Sequence, residues 1–126
     1  MYTSVIISVI TNEKSKSQLI KITKGEDLIA PSSIHWEIGN AFSSMFKRKK
    51  IVLNLAKKAI EYYSLIPLRL VDVDIIKSIE ISHYYNIYAY DAYFIECARN
   101  YSSTLVTLDN RLSEIARQMN INVKEV

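Results

Sequence analysis

The clearest local signal in the chain is the run Thr104-Leu105-Val106-Thr107-Leu108-Asp109-Asn110-Arg111-Leu112. Its first five residues are apolar or β-branched, which favours a buried strand. Asp109 follows directly and can cap a helix that we expect to end near Met119, after which residues 121–124 predict a last strand. A strand, a helix and another strand in this order are typical of a parallel sheet, whose strands need long crossover connections.

The same alternation of strand and helix extends back towards the N-terminus. Short apolar runs predict strands that end at Ala30 and Val71, and residues 3–24 predict two short helices. Amphipathic segments predict helices at residues 33–47, 51–63, about 72–85 and from about 91 onwards. Short strands that alternate with helices of this length indicate an α/β fold with a parallel sheet covered on both faces.

Each amphipathic segment has an apolar stripe that we expect to face the core. The spacing of three and four residues is most regular in the helix at 33–47. The residues predicted to point inward are Ile34, Ile38, Ala41, Phe42, Met45, Val52, Leu55, Ala56, Ala59, Tyr63, Ile75, Ile76, Ile79, Phe94, Ile95 and Ala98.

The length and composition describe a single soluble domain, residues 1–126. An apolar content of 49% suffices for one core that buries roughly two-thirds of the surface of the unfolded chain. No apolar run approaches the ~18 residues of a membrane span, and no secretory signal pattern is present. The one cysteine, Cys97, cannot form an internal disulfide. We therefore expect a cytoplasmic protein with no membrane contact.

Several classes of active site are excluded by residue counts. Two glycines, Gly25 and Gly39, cannot form a glycine-rich phosphate loop. His35 and Glu37 resemble the start of a zinc deaminase site, but that site needs a pair of cysteine ligands and the chain has one cysteine. With one other histidine, His83, and neither a G-x-S-x-G nor an H-E-x-x-H motif, the sequence supports no serine hydrolase or zinc protease.

Three acidic residues follow predicted strands or begin predicted helices. In an open parallel sheet, ligand sites lie beyond the carboxyl ends of the strands. Asp109 follows one strand directly, Glu37 lies in the first turns of the helix after another, and Asp91 begins a helix. Converging carboxylates would repel one another unless a cation neutralised them, and oxygen ligands favour Mg²⁺ or Mn²⁺. Helix capping explains each aspartate more simply, whereas solvent exposure explains Glu37 less well, because its stripe holds the small polar residues Ser33, Asn40 and Ser44; the residues alone leave both interpretations open.

Five blocks occur in a characteristic order along the chain. They are Tyr2-Thr3-Ser4-Val5, Ala30-Pro31-Ser32 followed by Glu37 and Asn40-Ala41, Tyr90-Asp91-Ala92-Tyr93 with Ala98, the run from Leu105 to Leu112, and Ile121-Asn122-Val123. In this order and spacing the chain resembles a PIN domain, and more narrowly the single-domain VapC-type toxins of prokaryotic toxin–antitoxin pairs. The resemblance covers essentially the whole chain, and its most specific parts are the blocks around Asp91 and Asp109.

The resemblance implies a fold, an activity and partners. The fold would be a three-layer α/β/α sandwich with a central, mostly parallel sheet. The activity would be that of a toxin endoribonuclease that depends on Mg²⁺ or Mn²⁺, with a homodimeric state and a cognate antitoxin as partner. Glu37, Asp91 and Asp109 match the family's acidic metal-binding and catalytic positions. In such a site the metal lowers the pKa of a bound water for attack on an RNA phosphodiester.

The first block departs from the family pattern. The family has an acidic residue before Thr-Ser, whereas this chain has Tyr2, with almost nothing before it to form the first strand. We interpret that strand as truncated, through a late start codon or degeneration; alternatively, residues 3–10 supply a strand in place of the first helix. Three carboxylates would still suffice for one Mg²⁺ ion. We therefore predict a ribonuclease of reduced activity, with a catalytically silent PIN-like module that binds RNA or a protein partner as the alternative.

Basic and aromatic side chains offer candidate RNA contacts. The basic candidates are Lys47, Arg48, Lys49, Lys50, Arg99 and Arg111. Each could contact a phosphate, although cations at a helix C-terminus are also explained by the helix dipole. Tyrosines close to Asp91 could stack on unpaired bases or pack between helices. Trp36 and Phe46 could form a dimer face or lie in the core.

Overall fold

A computed structural model describes residues 2–4, 21, 24–107 and 109–125, and the elements below belong to that part of the chain. The strands are β1 (Tyr2–Ser4), β2 (Leu28–Pro31), β3 (Leu68–Val71), β4 (Thr104–Thr107) and β5 (Val123–Glu125). The helices are α1 (Ile34–Lys47), α2 (Leu53–Ser64), α3 (Ile75–Tyr85), α4 (Ala89–Asn100) and α5 (Asn110–Gln118). The two short helices predicted within residues 3–24 fall on residues that lie largely outside the described part.

The described strands form one parallel sheet in the order β3-β2-β1-β4-β5. This confirms the predicted α/β class. Crossovers between parallel strands are right-handed, which places α1 and α2 on one face and α3, α4 and α5 on the other. Strand order reverses at β1, and in open sheets a ligand crevice forms at such a reversal, beyond the carboxyl ends of the strands.

The core is centred on the middle strands and on α4. Ile29 in β2 and Leu105 and Val106 in β4 are fully buried. Helix α4 packs against β1, β2 and β4, and its predicted inward residues Phe94 and Ile95 are completely enclosed. This packing fixes the position of α4 and of the residues in its first turn.

The apolar stripe of α3 differs from the prediction. Ile75, Ile76 and Ile79 were expected inward, but they are 62%, 68% and 51% exposed. Ser78 and Ile81 are buried instead, because α3 packs on α4 rather than on the sheet. The spacing of apolar residues indicates which face of a helix is apolar, but it does not specify which neighbour that helix will pack against.

The stripe of α2 also differs from the prediction at its start. Ala56 and Tyr63 are buried and Ala59 is partly buried, but Val52 and Leu55 are exposed. Val52 precedes the helix as its N-cap, in extended conformation, so it does not share the stripe of the helical residues. In α1, by contrast, Ile34, Ile38 and Phe42 are buried as predicted, with Ala41 and Met45 partly buried.

The first strand shows where Tyr2 lies in the sheet. Tyr2 is opposite Leu28 of β2 and Thr104 of β4, and Ser4 is opposite Val106. Tyr2 therefore lies at the amino edge of the sheet, not at the carboxyl edge where the family's first acidic residue was expected. Within the described residues β1 comprises Tyr2–Ser4, so Thr3 and Ser4 lie in a strand, as in the alternative that assigned residues 3–10 to a strand; residues 5–10 lie outside the described part.

Among the described residues, no helix combines the length and apolar character that a membrane span requires.

Candidate carboxylate site

Glu37 lies in the first turn of α1, which begins just beyond the carboxyl end of β2. Its backbone N–H donates to the Ser33 carbonyl at 3.1 Å. The side chain is partly buried, and its Oε2 is enclosed without a hydrogen-bond partner among the described residues. Burial, followed by repulsion from Asp91, raises the pKa of Glu37 to about 7. A buried carboxylate oxygen without a partner costs free energy when it is charged.

Asp91 lies in the first turn of α4, beyond the predicted capping position. The N-cap residue is Tyr88, so the helix begins at Ala89, earlier than expected, and Asp91 is its third residue. The side chain is partly buried, and burial followed by repulsion from Asp109 raises the pKa of Asp91. The capping interpretation of Asp91 is therefore wrong, and its carboxylate is free to face the other acidic residues.

Asp109 is the N-cap of α5, as the sequence suggested. Its Oδ1 accepts hydrogen bonds from the backbone N–H groups of Arg111 at 2.9 Å and Leu112 at 3.1 Å. Its own backbone N–H donates to Thr107 Oγ1 at 3.0 Å. These bonds fix the orientation of an exposed carboxylate directly after β4 and occupy only one of its two oxygens.

Electrostatic repulsion couples the three carboxylates in two pairs, Glu37 with Asp91 and Asp91 with Asp109. Asp91 raises the pKa of Glu37, and Asp109 raises the pKa of Asp91. Within the part of the chain that the structure describes, no three His, Cys, Asp or Glu side chains lie close enough together to form a metal-binding group. The coupling is therefore pairwise, with Asp91 in the middle, and each repulsion favours the protonated form of the carboxylate whose pKa it raises.

The basic candidates occupy three different environments. Lys47 ends α1 and Arg48 to Lys50 follow it, about 15 Å along the helix from Glu37 at 1.5 Å per residue. Arg99 donates to both carboxylate oxygens of Glu96, from Nε at 2.6 Å and from an Nη at 2.8 Å. Arg111 lies beside Asp109, and its guanidinium donates to the Tyr85 carbonyl at 2.7 Å. Among these basic candidates Arg111 lies next to the carboxylates, and the RNA contact predicted for Arg99, which also pairs with Glu96, stays a prediction.

Two features of the site region were not predicted from the sequence. Glu96 is 1% exposed, and its spacing of three residues from Arg99 is the helical ion-pair signal that would have identified it. His35 Nδ1 and the Tyr63 hydroxyl lie 2.8 Å apart, which joins α1 to α2. No local pattern in the sequence predicts that contact, because the two residues belong to different helices.

Comparison with known proteins gives a family and several similar folds. The family model described as "PIN domain" matches residues 3–118. The structure is similar to that of VapBC2 from Rickettsia felis bound to a DNA fragment from their promoter, with a TM-score of 0.68, 16% identity, and 99% of this chain and 98% of that chain covered. It is also similar to PAE2754 from Pyrobaculum aerophilum, with a TM-score of 0.66, 16% identity, and 99% and 90% covered.

A third similar structure is a domain of a functionally unknown protein from Methanocaldococcus jannaschii. Its TM-score is 0.59 at 16% identity, with 99% of this chain and 89% of that chain covered. At these identities the structures show a shared fold. No curated protein matches the sequence.

Proposed function

The chain belongs to the PIN domain family, and we propose that it is a metal-dependent endoribonuclease, the toxin of a toxin–antitoxin pair. PIN domains are generally nucleases, and the similar Rickettsia felis structure is a VapBC complex. The observation that carries the proposal is the buried Oε2 of Glu37, which lacks a hydrogen-bond partner in the described chain and is coupled to Asp91. A protein ordinarily satisfies such an atom.

The donor set fits a hard divalent cation. Glu37, Asp91 and Asp109 supply only oxygen ligands, which Mg²⁺ and Mn²⁺ prefer, and a cation would relieve their mutual repulsion. When bound, the ion supplies a water of lowered pKa and neutralises charge on the phosphodiester. The chain orients its own groups for this task, because α4 is fixed by its packing and Asp109 is fixed by the cap of α5.

Reduced activity is part of the proposal. The described strand β1 contributes Tyr2, Thr3 and Ser4 and no carboxylate, so the described donor set is limited to three acidic residues. Mg²⁺ commonly keeps several waters and takes one or two carboxylates from protein, so a coupled pair, Glu37 with Asp91 or Asp91 with Asp109, suffices for one ion. The lack of a carboxylate in the described strand β1 also favours the second candidate, a catalytically silent PIN-like module that binds RNA or a protein.

Two further partners belong to the proposal. Exposed Phe46, Val52 and Leu55 line an open groove rimmed by Lys49 and Lys50, a surface that suits an amphipathic segment of an antitoxin. The exposed isoleucines of α3 suit a homodimer contact, since such apolar surface is commonly covered by a partner. A cytoplasmic location is consistent with both partners and with the RNA substrate.

Cleavage of RNA tests the activity directly. We expect the purified protein to cut a labelled single-stranded RNA with Mn²⁺ and not with excess chelator. Glu37→Gln and Asp91→Asn should each abolish cleavage, whereas Glu61→Gln, at an exposed glutamate of α2, should leave it unchanged. Cleavage that survives chelator, or that all three variants retain, would contradict the proposal. RNA binding without cleavage by any form would favour the silent module.

A further inference from the structure

The segment from the end of α3 to the start of α4 exposes large aromatic side chains to water. Tyr84 is 80% exposed, Tyr88 is 84% exposed and Tyr90 is 40% exposed. Two of these rings make edge-on contacts with a neighbouring ring: Tyr84 with Tyr85 at 5.0 Å between centroids, and Tyr90 with Tyr93 at 6.0 Å. Such edge-on pairs are a favourable arrangement of aromatic rings. This segment therefore presents aromatic surface that no described part of the chain covers.

This aromatic surface adjoins the carboxylate site. Tyr88 is the N-cap of α4 and Asp91 is its third residue, and the side chains at these two positions are neighbours at the start of a helix. On the other side, Arg111 donates its backbone N–H to Asp109 at 2.9 Å and its guanidinium to the Tyr85 carbonyl at 2.7 Å. The segment that carries the tyrosines is thus linked to Asp109 through Arg111 and the Tyr85 carbonyl, and Tyr88 lies within one helical turn of Asp91.

Arg111 adds a positive charge to the same surface. It is exposed, and a guanidinium has five N–H donors in a planar fork that matches a phosphate. The bond to Tyr85 holds the guanidinium in place through one nitrogen and leaves other donors for a ligand. Aromatic faces beside a fixed arginine are the combination that binds single-stranded nucleic acid, through base stacking and phosphate contacts.

We propose that Tyr84, Tyr88, Tyr90 and Arg111 form a stacking platform for the unpaired bases of an RNA strand beside the carboxylates. The platform deepens the proposed function, on which its placement next to a cleavage site rests. It selects single-stranded over double-stranded RNA, because bases in a duplex are already stacked and their faces are covered. Tyr88 contributes most, since it is the most exposed of the rings and is the N-cap of the helix that carries Asp91.

Binding measured without cleavage tests the platform. Anisotropy of a labelled single-stranded RNA of 12 nucleotides, in chelator, gives the affinity without any contribution from metal-dependent cleavage. We expect Tyr88→Ala to weaken binding about tenfold, a loss within the range for one stacked base, and Tyr88→Phe to retain it because the ring remains. The matched control is Tyr62→Ala, at an exposed tyrosine of α2, on the opposite face of the sheet; it should bind like the wild type.

An abasic version of the same RNA separates stacking from charge. We expect Tyr88→Ala to bind the abasic strand as the wild type does, and Arg111→Ala to weaken binding of both strands. Equal affinity of Tyr88→Ala and wild type for the normal RNA, or an equal loss on both strands, would overturn the platform. So would a lack of RNA binding by the wild type, which would assign the tyrosines to a protein partner. Stacking without cleavage would contradict only the nuclease; cleavage without stacking would contradict only the platform.

Discussion

Glu37 and Glu96 are two glutamates that the fold withdraws from water, under opposite conditions. Glu96 in α4 is 1% exposed, and both of its oxygens accept hydrogen bonds from Arg99. Glu37 in α1 is only partly buried, yet its Oε2 has no partner among the described residues, and repulsion from another carboxylate, Asp91, helps to raise its pKa. Glu96 is neutralised within the chain, whereas Glu37 has the environment expected of the metal ligand that we propose it to be. The two glutamates thus differ in their partners more than in their burial.

Removing the charge of Glu96, the glutamate paired with Arg99, should have the largest effect on stability. Glu96→Gln removes one partner of a buried ion pair, which costs about 3 kcal/mol of unfolding free energy when the remaining charge is uncompensated. The value lies at the low end of the usual range because Arg99 is partly exposed to water. Urea unfolding of wild type and variant measures this loss. An unchanged midpoint would show that the pair contributes nothing and that the contrast with Glu37 is unfounded.

Metal addition should stabilise the protein through Glu37 and not through Glu96. A ligand at a hundred times its dissociation constant stabilises the native state by about 2.7 kcal/mol, which would raise the melting temperature of a domain of this size by several degrees. We expect Mn²⁺ to raise the melting temperature of the wild type and of Glu61→Gln, and to have little effect on Glu37→Gln. An equal rise in all three proteins would place the ion elsewhere.

Glu37 should make the metal-free protein less stable as the pH rises. Glu37 has a folded pKa of about 7 against an ordinary value of 4.5, so between these pH values the unfolded state releases a proton that the folded state retains. Stability therefore falls across this window and is level on either side. Glu37→Gln should match the wild type near pH 4 and exceed it by about 1 kcal/mol near pH 8, after allowance for solvent screening of a partly exposed group. Unfolding in chelator at both pH values measures the difference, and a variant less stable than wild type at pH 8 would contradict the raised pKa.

The smallest stability effect should come from Asp109. Asp109→Asn keeps an oxygen for the two backbone N–H groups of α5, and asparagine caps helices about as well as aspartate. We expect the unfolding free energy to change by less than about 0.5 kcal/mol, while the affinity for Mn²⁺ falls. Thermal unfolding and metal titration of this one variant separate the two roles. A large loss of stability would show that Asp109 acts mainly through its charge at the helix start.

Local signals in the sequence identified much of this fold. The β-branched run before Asp109, the cap itself and the stripe of α1 follow from short-range chemistry, so the α/β class and the start of α5 were predicted correctly. The exposure of the isoleucines of α3 was not predicted, because burial depends on which helix lies opposite. The position of Tyr2 in the sheet was not predicted either, because strand register is set by pairing with residues far along the chain.

The candidate site shows the same division. Sequence order suggested Glu37, Asp91 and Asp109 as one group, but only the structure shows the coupling of Glu37 to Asp91 and of Asp91 to Asp109. The Oε2 atom without a partner and the ion pair of Glu96 depend on atoms brought together by packing. These are the observations that distinguish the two glutamates, and no residue pattern contains them.

The most direct measurement is calorimetric titration of Mn²⁺ at pH 6 and pH 8, in two buffers that differ in their ionisation enthalpy. With a pKa of about 7, Glu37 holds most of a proton at pH 6 and must release it to bind an ion. We expect close to one proton released per ion at pH 6, fewer at pH 8, tighter binding at the higher pH, and no release by Glu37→Gln. Binding by the wild type that releases no proton, with the same affinity in Glu37→Gln, would show that Glu37 is not the group kept for the cation.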